Sequence, residues 1–106
     1  MAKEVRYSLV WTEPSICDLE RIDRYLRRRN PAAAEKTGEG LLTRVRMLET
    51  HPELGRLYDS EMPWRILVHR SYKIFYRVLR QERVVEIAHV RHAARDNPTL
   101  DDLFTE

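Results

Sequence analysis

The chain has 106 residues, 42% of them hydrophobic, which suits one domain (1–106) built around a single core. Its one cysteine, Cys17, excludes an internal disulfide and a thiolate zinc site, and no apolar run approaches the ~20 residues that cross a bilayer. A net charge of +2 conceals a gradient, with eleven Lys/Arg against ten Asp/Glu in 1–60, eight against three in 61–95, and none against four in 96–106.

A basic strand region followed by a short acidic tail (97–106) suits a face that meets an anionic partner. The opening MAKEVRYSLVW lacks the basic-then-apolar order of a secretory signal, so a soluble cytoplasmic protein with no membrane partner is expected.

From Lys3 to Trp11, Val5, Tyr7, Leu9 and Trp11 alternate with Glu4, Arg6 and Ser8, the period of a half-buried strand. Thr12 is placed to cap a helix with Pro14 in its first turn, and Ile16, Leu19, Ile22 and Leu26 recur at helical spacing along it. The acids Glu13, Asp18 and Glu20 come early and Arg27, Arg28 and Arg29 late, which matches the helix dipole without invoking a ligand. Asn30-Pro31 predicts a left-handed cap and a second helix, striped with Ala34, Leu41, Val45 and Leu48 as far as His51-Pro52. Gly38 and Gly40 are expected to let the two helices approach closely.

After a loop from Pro52 to Pro63, the segments Trp64–His69, Tyr72–Arg80 and Val84–Arg91 read as strands, broken at Arg70-Ser71 and at Arg80–Arg83. Breaks that short predict an antiparallel meander. In its middle strand Tyr72, Ile74, Tyr76 and Val78 share one face, which is expected to pack on the helices. Lys73, Phe75, Arg77 and Leu79 share the other, which is expected to remain a cationic and apolar contact surface. The fold class is α+β: an N-terminal strand, an antiparallel helical hairpin and a three-stranded meander in one sheet packed on the helices. Trp11, Trp64, Tyr72 and Tyr76 read as packing aromatics, His89 as a packed or hydrogen-bonded side chain, and His51 and His69 as surface or turn residues. Four scattered histidines predict no metal site, and no cofactor motif is present.

Six short motifs then stand in a telling order: WTEPSICDLERIDRYL (Trp11–Leu26), NPAAA (Asn30–Ala34), HPELGR (His51–Arg56), RILV (Arg65–Val68), YKIFY (Tyr72–Tyr76) and HAARD (His92–Asp96). Together, from about Val5 to Pro98, they resemble the RelE/ParE superfamily of type II toxin-antitoxin toxins. The resemblance implies a growth-inhibiting toxin held in a hetero-oligomer by a cognate, ParD-like antitoxin. In the ParE-like branch the target is DNA gyrase and no catalytic site is needed. In the RelE-like branch the protein is a ribosome-dependent mRNA endonuclease.

RNA cleavage through the 2′-hydroxyl needs a base, an acid and cations around the phosphorane. Arg65, His92, Arg95 and Glu61 are the candidates if the chain is a nuclease. The loop before Pro63 contains no lysine, the last segment supplies no Lys or Tyr, and HAARD is similar to the ParE-like ending, so that branch is favoured. In that reading Arg56, Arg65, Arg77, Arg91, His92 and Arg95 meet the target, and Leu19, Ile22, Leu26, Phe75 and Leu79 meet the antitoxin.

Overall fold

The computed structural model describes residues 5–93. Strand β1 (Ser8–Trp11) leads into helices α1 (Glu13–Arg29) and α2 (Pro31–Arg46), and α2 runs on into a 3-10 turn (Met47–Glu49). Strands β2 (Arg56–Leu57), β3 (Trp64–His69), β4 (Tyr72–Leu79) and β5 (Val84–His92) follow. They form one sheet ordered β1-β5-β4-β3-β2, in which β1 runs parallel to β5 and the other neighbours are antiparallel. The expected α+β arrangement is present, with β2 as an additional edge strand. Two exposed residues inside a loop carry no periodic signal, so β2 was not legible. Among the described residues no helix is long and apolar enough to cross a membrane.

Local chemistry explains the helix boundaries. Thr12 caps α1 by accepting from the Ser15 amide at 3.2 Å, with Pro14 in the first turn. Asn30 joins the helices differently from expectation: it is extended, with φ −160°, and its side-chain oxygen accepts from the Ala33 amide to start α2. A side-chain cap satisfies the orphan amides there without a left-handed residue. Left-handed backbone occurs instead at Arg70 (φ 53°) and Arg83 (φ 55°), in the two hairpin turns. Each costs about 1 kcal/mol for a non-glycine residue, offset by the strands that the turns join.

The main core lies between the helices and one sheet face. Leu41, Val45 and Leu48 meet Leu67, Ile74, Tyr76, Val85, Ile87 and Val90, with Leu9, Trp11, Leu19 and Ile22 packed around them. Two residues expected on inward faces, Val5 and Ile16, are exposed. Along the first half of α1 the buried positions are Ser15 and Asp18, because that half lies against the backbone edge of β5 and not over side chains.

The far face of the sheet differs from expectation. Phe75 is fully buried there with Trp64, Ile66 and Ala88, beneath Tyr58 and Met62. Tyr58 meets the Phe75 ring edge-on at 5.7 Å. The loop after β2 therefore covers the centre of the face that the sequence suggested would stay open.

The loop before β2 is held from the other face of the sheet by Tyr76. Its hydroxyl donates to the Pro52 carbonyl and accepts from the Gly55 amide, each at 2.8 Å, while burial pushes its pKa up. Gly55 is required at this point: a Cβ would fall 2.7 Å from the Ile66 carbonyl oxygen and 2.9 Å from the Tyr76 ring. Gly40 serves the sheet in the same way, since a Cβ there would meet the His69 ring at 2.7 Å, whereas Gly38 faces open space. The two glycines thus do not mark a helix–helix contact, and His69 is a packed residue.

Burial lowers the His69 pKa, and the Arg70 and Arg44 guanidinia push the same way. The unfolded chain, with an imidazole pKa of ~6.5, takes up this proton more readily than the folded one. The stabilisation from neutral His69 is thus complete above the unfolded pKa and is lost as pH falls towards the folded value. Thermal melting from pH 7.5 to pH 5 is expected to show a steeper loss of Tm for the native chain than for His69→Gln. Parallel curves would contradict this.

Candidate functional site

Strand β1 pairs with β5 only from Ser8↔Val84 to Trp11↔Ile87, which leaves the rest of that β5 edge without a strand. Helix α1 closes it. The Thr12 amide donates to the Ile87 carbonyl at 3.1 Å, and the Thr12 hydroxyl lies 2.8 Å from the same oxygen. Six residues further along, Asp18 Oδ2 accepts from the Val90 amide at 3.0 Å. A carboxylate here does the work of a strand carbonyl.

Asp18 is only 3% exposed, and its charge is balanced by neighbours. His89 Nδ1 lies 3.0 Å from Oδ2, Arg21 3.4 Å from Oδ1, and Arg91 Nε 3.7 Å from Oδ2. With the carboxylate ionised, Nδ1 of His89 carries the proton and donates to Asp18. The Arg91 terminal nitrogen 3.1 Å from that Nδ1 then faces a donor, so the contact is not a hydrogen bond.

Two recesses flank α1. A small one of about 160 Å³ lies between α1 and the ends of β4 and β5, with Arg21, Tyr25, Tyr72, Arg91 and His92 around Asp18. Tyr72 and His92 meet edge-to-face at 5.5 Å. A larger cleft of about 730 Å³ runs between the helices; Leu19, Ile22, Ala34, Leu41 and Leu42 supply its apolar lining, and Arg24, Arg27 and Arg28 add positive charge. Arg27 is partly neutralised by Asp23, which it binds through two hydrogen bonds at 2.8 and 3.1 Å. That contact holds the Asp23 carboxyl below its usual range.

The arginines selected from the sequence do not form one patch. Arg91 and His92 sit together at the small recess. Arg65 donates to the Gly55 carbonyl at 2.7 Å and fixes the loop before β2. Arg77 binds Glu86 at 2.7 Å and lies over the Trp64 ring, so its charge is balanced within the sheet. Arg56 is exposed on β2 and Glu61 on the loop after it. Arg95 lies outside the described residues, as does the acidic tail. Of the apolar candidates, Leu19 and Ile22 line the interhelical cleft, while Leu26 and Leu79 are half-buried elsewhere. Phe75, expected to meet the antitoxin, offers no contact surface, because its ring is enclosed.

Asp18, Arg21, Tyr25 and Tyr72 are members of the small recess that sequence reasoning did not place there. Asp18 offered a signal: it falls one turn after Ser15 and one before Ile22, so a carboxylate occupies the inward stripe of α1. Nothing in the local pattern marks Tyr72, because its neighbours arrive from β5.

Comparison with known proteins places this geometry in a lineage. Residues 9–97 match a family model described as the ParE toxin of the type II toxin-antitoxin system, parDE. Toxin RelE2 of Caulobacter vibrioides is 34% identical over 87 residues, covering 82% of this chain and 96% of that protein. Among solved structures, the chromosomal ParDE system of P. aeruginosa superposes with a TM-score of 0.69 at 24% identity, over 82% of this chain and 96% of that one. The toxin-antitoxin complex RelBE2 of Mycobacterium tuberculosis gives 0.57 at 22%, over 83% and 99%. At those identities the two structures show the shared fold.

Removing the Asp18 carboxylate strands the Val90 amide and the His89 ring in a buried place. Asp18→Ala is expected to lower unfolding free energy by about 3 kcal/mol in urea titration, far more than the loss of an exposed ion pair would. A change under about 1 kcal/mol would show that the carboxylate does not anchor the edge.

Proposed function

Since the chain belongs to the ParE toxin family of type II toxin-antitoxin systems, we propose that it arrests growth in the cytoplasm by binding DNA gyrase and is neutralised by a ParD-like antitoxin. The observation that carries a binding role over a nuclease role is the separation of the candidate catalytic groups. Arg65 pairs with Tyr76 across the β3–β4 ladder, and His92 pairs with Tyr72 across β4–β5. The two are therefore about 13 Å apart along the strands and about 10 Å across them. Glu61 precedes β3, at the Arg65 end. An acid, a base and a phosphate clamp must converge within hydrogen-bond reach of one phosphodiester, and these residues do not.

The interhelical cleft supports the antitoxin assignment. An apolar segment carrying acidic residues would cover Leu19, Ile22 and Leu42 and meet Arg24 and Arg28. Burial of that surface would stabilise the toxin by mass action.

The full chain, freed from its antitoxin, is expected to inhibit supercoiling by purified gyrase at about micromolar concentration and to accumulate cleaved DNA. Unaffected supercoiling, together with codon-positioned transcript cleavage in a translation extract, would replace this reading with the ribosome-dependent one of the RelE-like branch.

A further inference from the structure

The interhelical cleft holds features that the folded domain does not account for. Gly38 lines it, and a Cβ there would meet nothing within 4 Å, although glycine inside a helix is less favourable than alanine. No neighbour among the described residues needs that missing side chain. Leu42 borders the same opening and is 42% exposed. On the rim, Arg24 and Arg28 are exposed and form no ion pair among the described residues, whereas Arg27 is held by Asp23. Glu20 also lines the cleft, one turn before Arg24, so the excess of cations lies toward Arg28. An occupant therefore needs apolar groups for the floor, acids for the rim and a close approach to the α2 backbone at Gly38.

The chain carries such a segment itself. The family match ends at residue 97, and the sequence continues as PTLDDLFTE over 98–106, with three acids and no Lys or Arg. Leu100, Leu103 and Phe104 recur three and four residues apart, the spacing that presents one apolar face to a groove. These residues lie outside the described ones, but the point from which they start is fixed. His92 borders the small recess, and Ile22 lines both that recess and the cleft. Leu100 is eight residues beyond His92, a reach of up to ~26 Å against ~10–12 Å for the whole diameter of a helix. A tether that short keeps the local concentration near ~1 mM, so contacts of about millimolar intrinsic affinity suffice to keep the cleft half occupied.

We propose that the acidic segment 98–106 docks in the interhelical cleft of the free chain, with its leucines and Phe104 on the apolar floor and Asp101 and Asp102 against Arg24 and Arg28. The segment thereby holds the surface assigned to the antitoxin and has to leave before an antitoxin can enter. The docking concerns the free chain alone, goes beyond the gyrase and antitoxin readings and rests on neither.

The test records NMR contacts between the Phe104 ring and the methyl groups of Ile22 and Leu42 in the full chain, at protein concentrations about tenfold apart. The contacts are expected at both. Gly38→Leu puts a side chain into the open space; it is expected to abolish them while melting at least as high as the native chain. Asp101→Lys with Asp102→Lys is expected to abolish them too, and adding Arg24→Glu with Arg28→Glu to that chain is expected to restore them. Absence of the contacts in the native chain, or their persistence in Gly38→Leu, would overturn the docking. Contacts that grow with concentration, together with a dimer in sedimentation, would give the cleft to the tail of a second copy and overturn the intramolecular arrangement. Contacts that survive the first charge reversal, or that the second does not restore, would overturn the pairing with Arg24 and Arg28. Neither gyrase inhibition nor antitoxin binding is read out, so this proposal and the functional one can fail separately.

Discussion

The structure depends on the way a buried carboxylate completes a sheet edge. Strand β1 ends at Trp11, opposite Ile87, while β5 continues to His92. Amides beyond that point would lie unpaired in the core, at a cost of about 1–3 kcal/mol each. Helix α1 removes that cost by turning Thr12 and Asp18 to the edge. The same contact fixes the helix along β5 and therefore sets the depth of the interhelical cleft on one side and of the Arg91 recess on the other. A structural requirement of the backbone has in this way brought a cluster of ionisable groups to one end of the sheet.

The consequence for function is a division of the cations. Arg65 and Arg77 are engaged within the domain, by the Gly55 carbonyl and by Glu86. Arg80 likewise pairs with Glu53. The charge gradient along the chain is thus partly neutralised when the chain folds. At the end of β5, Arg91 and, from a different part of the sequence, Arg21 share the single carboxylate of Asp18, with His92 beside them. A nuclease would need its groups gathered around one phosphodiester, whereas a docking protein needs only accessible charge with nearby aromatic surface.

Much of the fold was legible because its signals are local and redundant. The helical stripe, the Thr12 cap, the Asn30-Pro31 boundary and the breaks at Arg70-Ser71 and Arg80–Arg83 all mark their elements in the sequence. The errors came where tertiary geometry overrides local pattern. Ile16 fits the apolar period of α1 yet is exposed, because backbone edge and not side-chain surface lies beneath that half of the helix. Phe75 alternates onto the expected outer face, but the register of a loop decides whether such a face stays open, and Tyr58 and Met62 cover it. Gly40 likewise meets the His69 ring, which arrives from β3, and not the neighbouring helix. The recess was legible only in part: HVRH at the end of β5 pointed to it, whereas the contribution of α1 required knowing that Asp18 faces inward.

Hydrogen exchange at the Val90 amide probes this edge closure most directly, because that proton has a carboxylate where a strand partner would be. Bound to a buried Asp18, it is expected to exchange only through global unfolding, as slowly as amides in the interior of β4. Exchange at the rate of an open strand edge would mean that α1 does not complete the sheet, and the recess built on that contact would lose its basis.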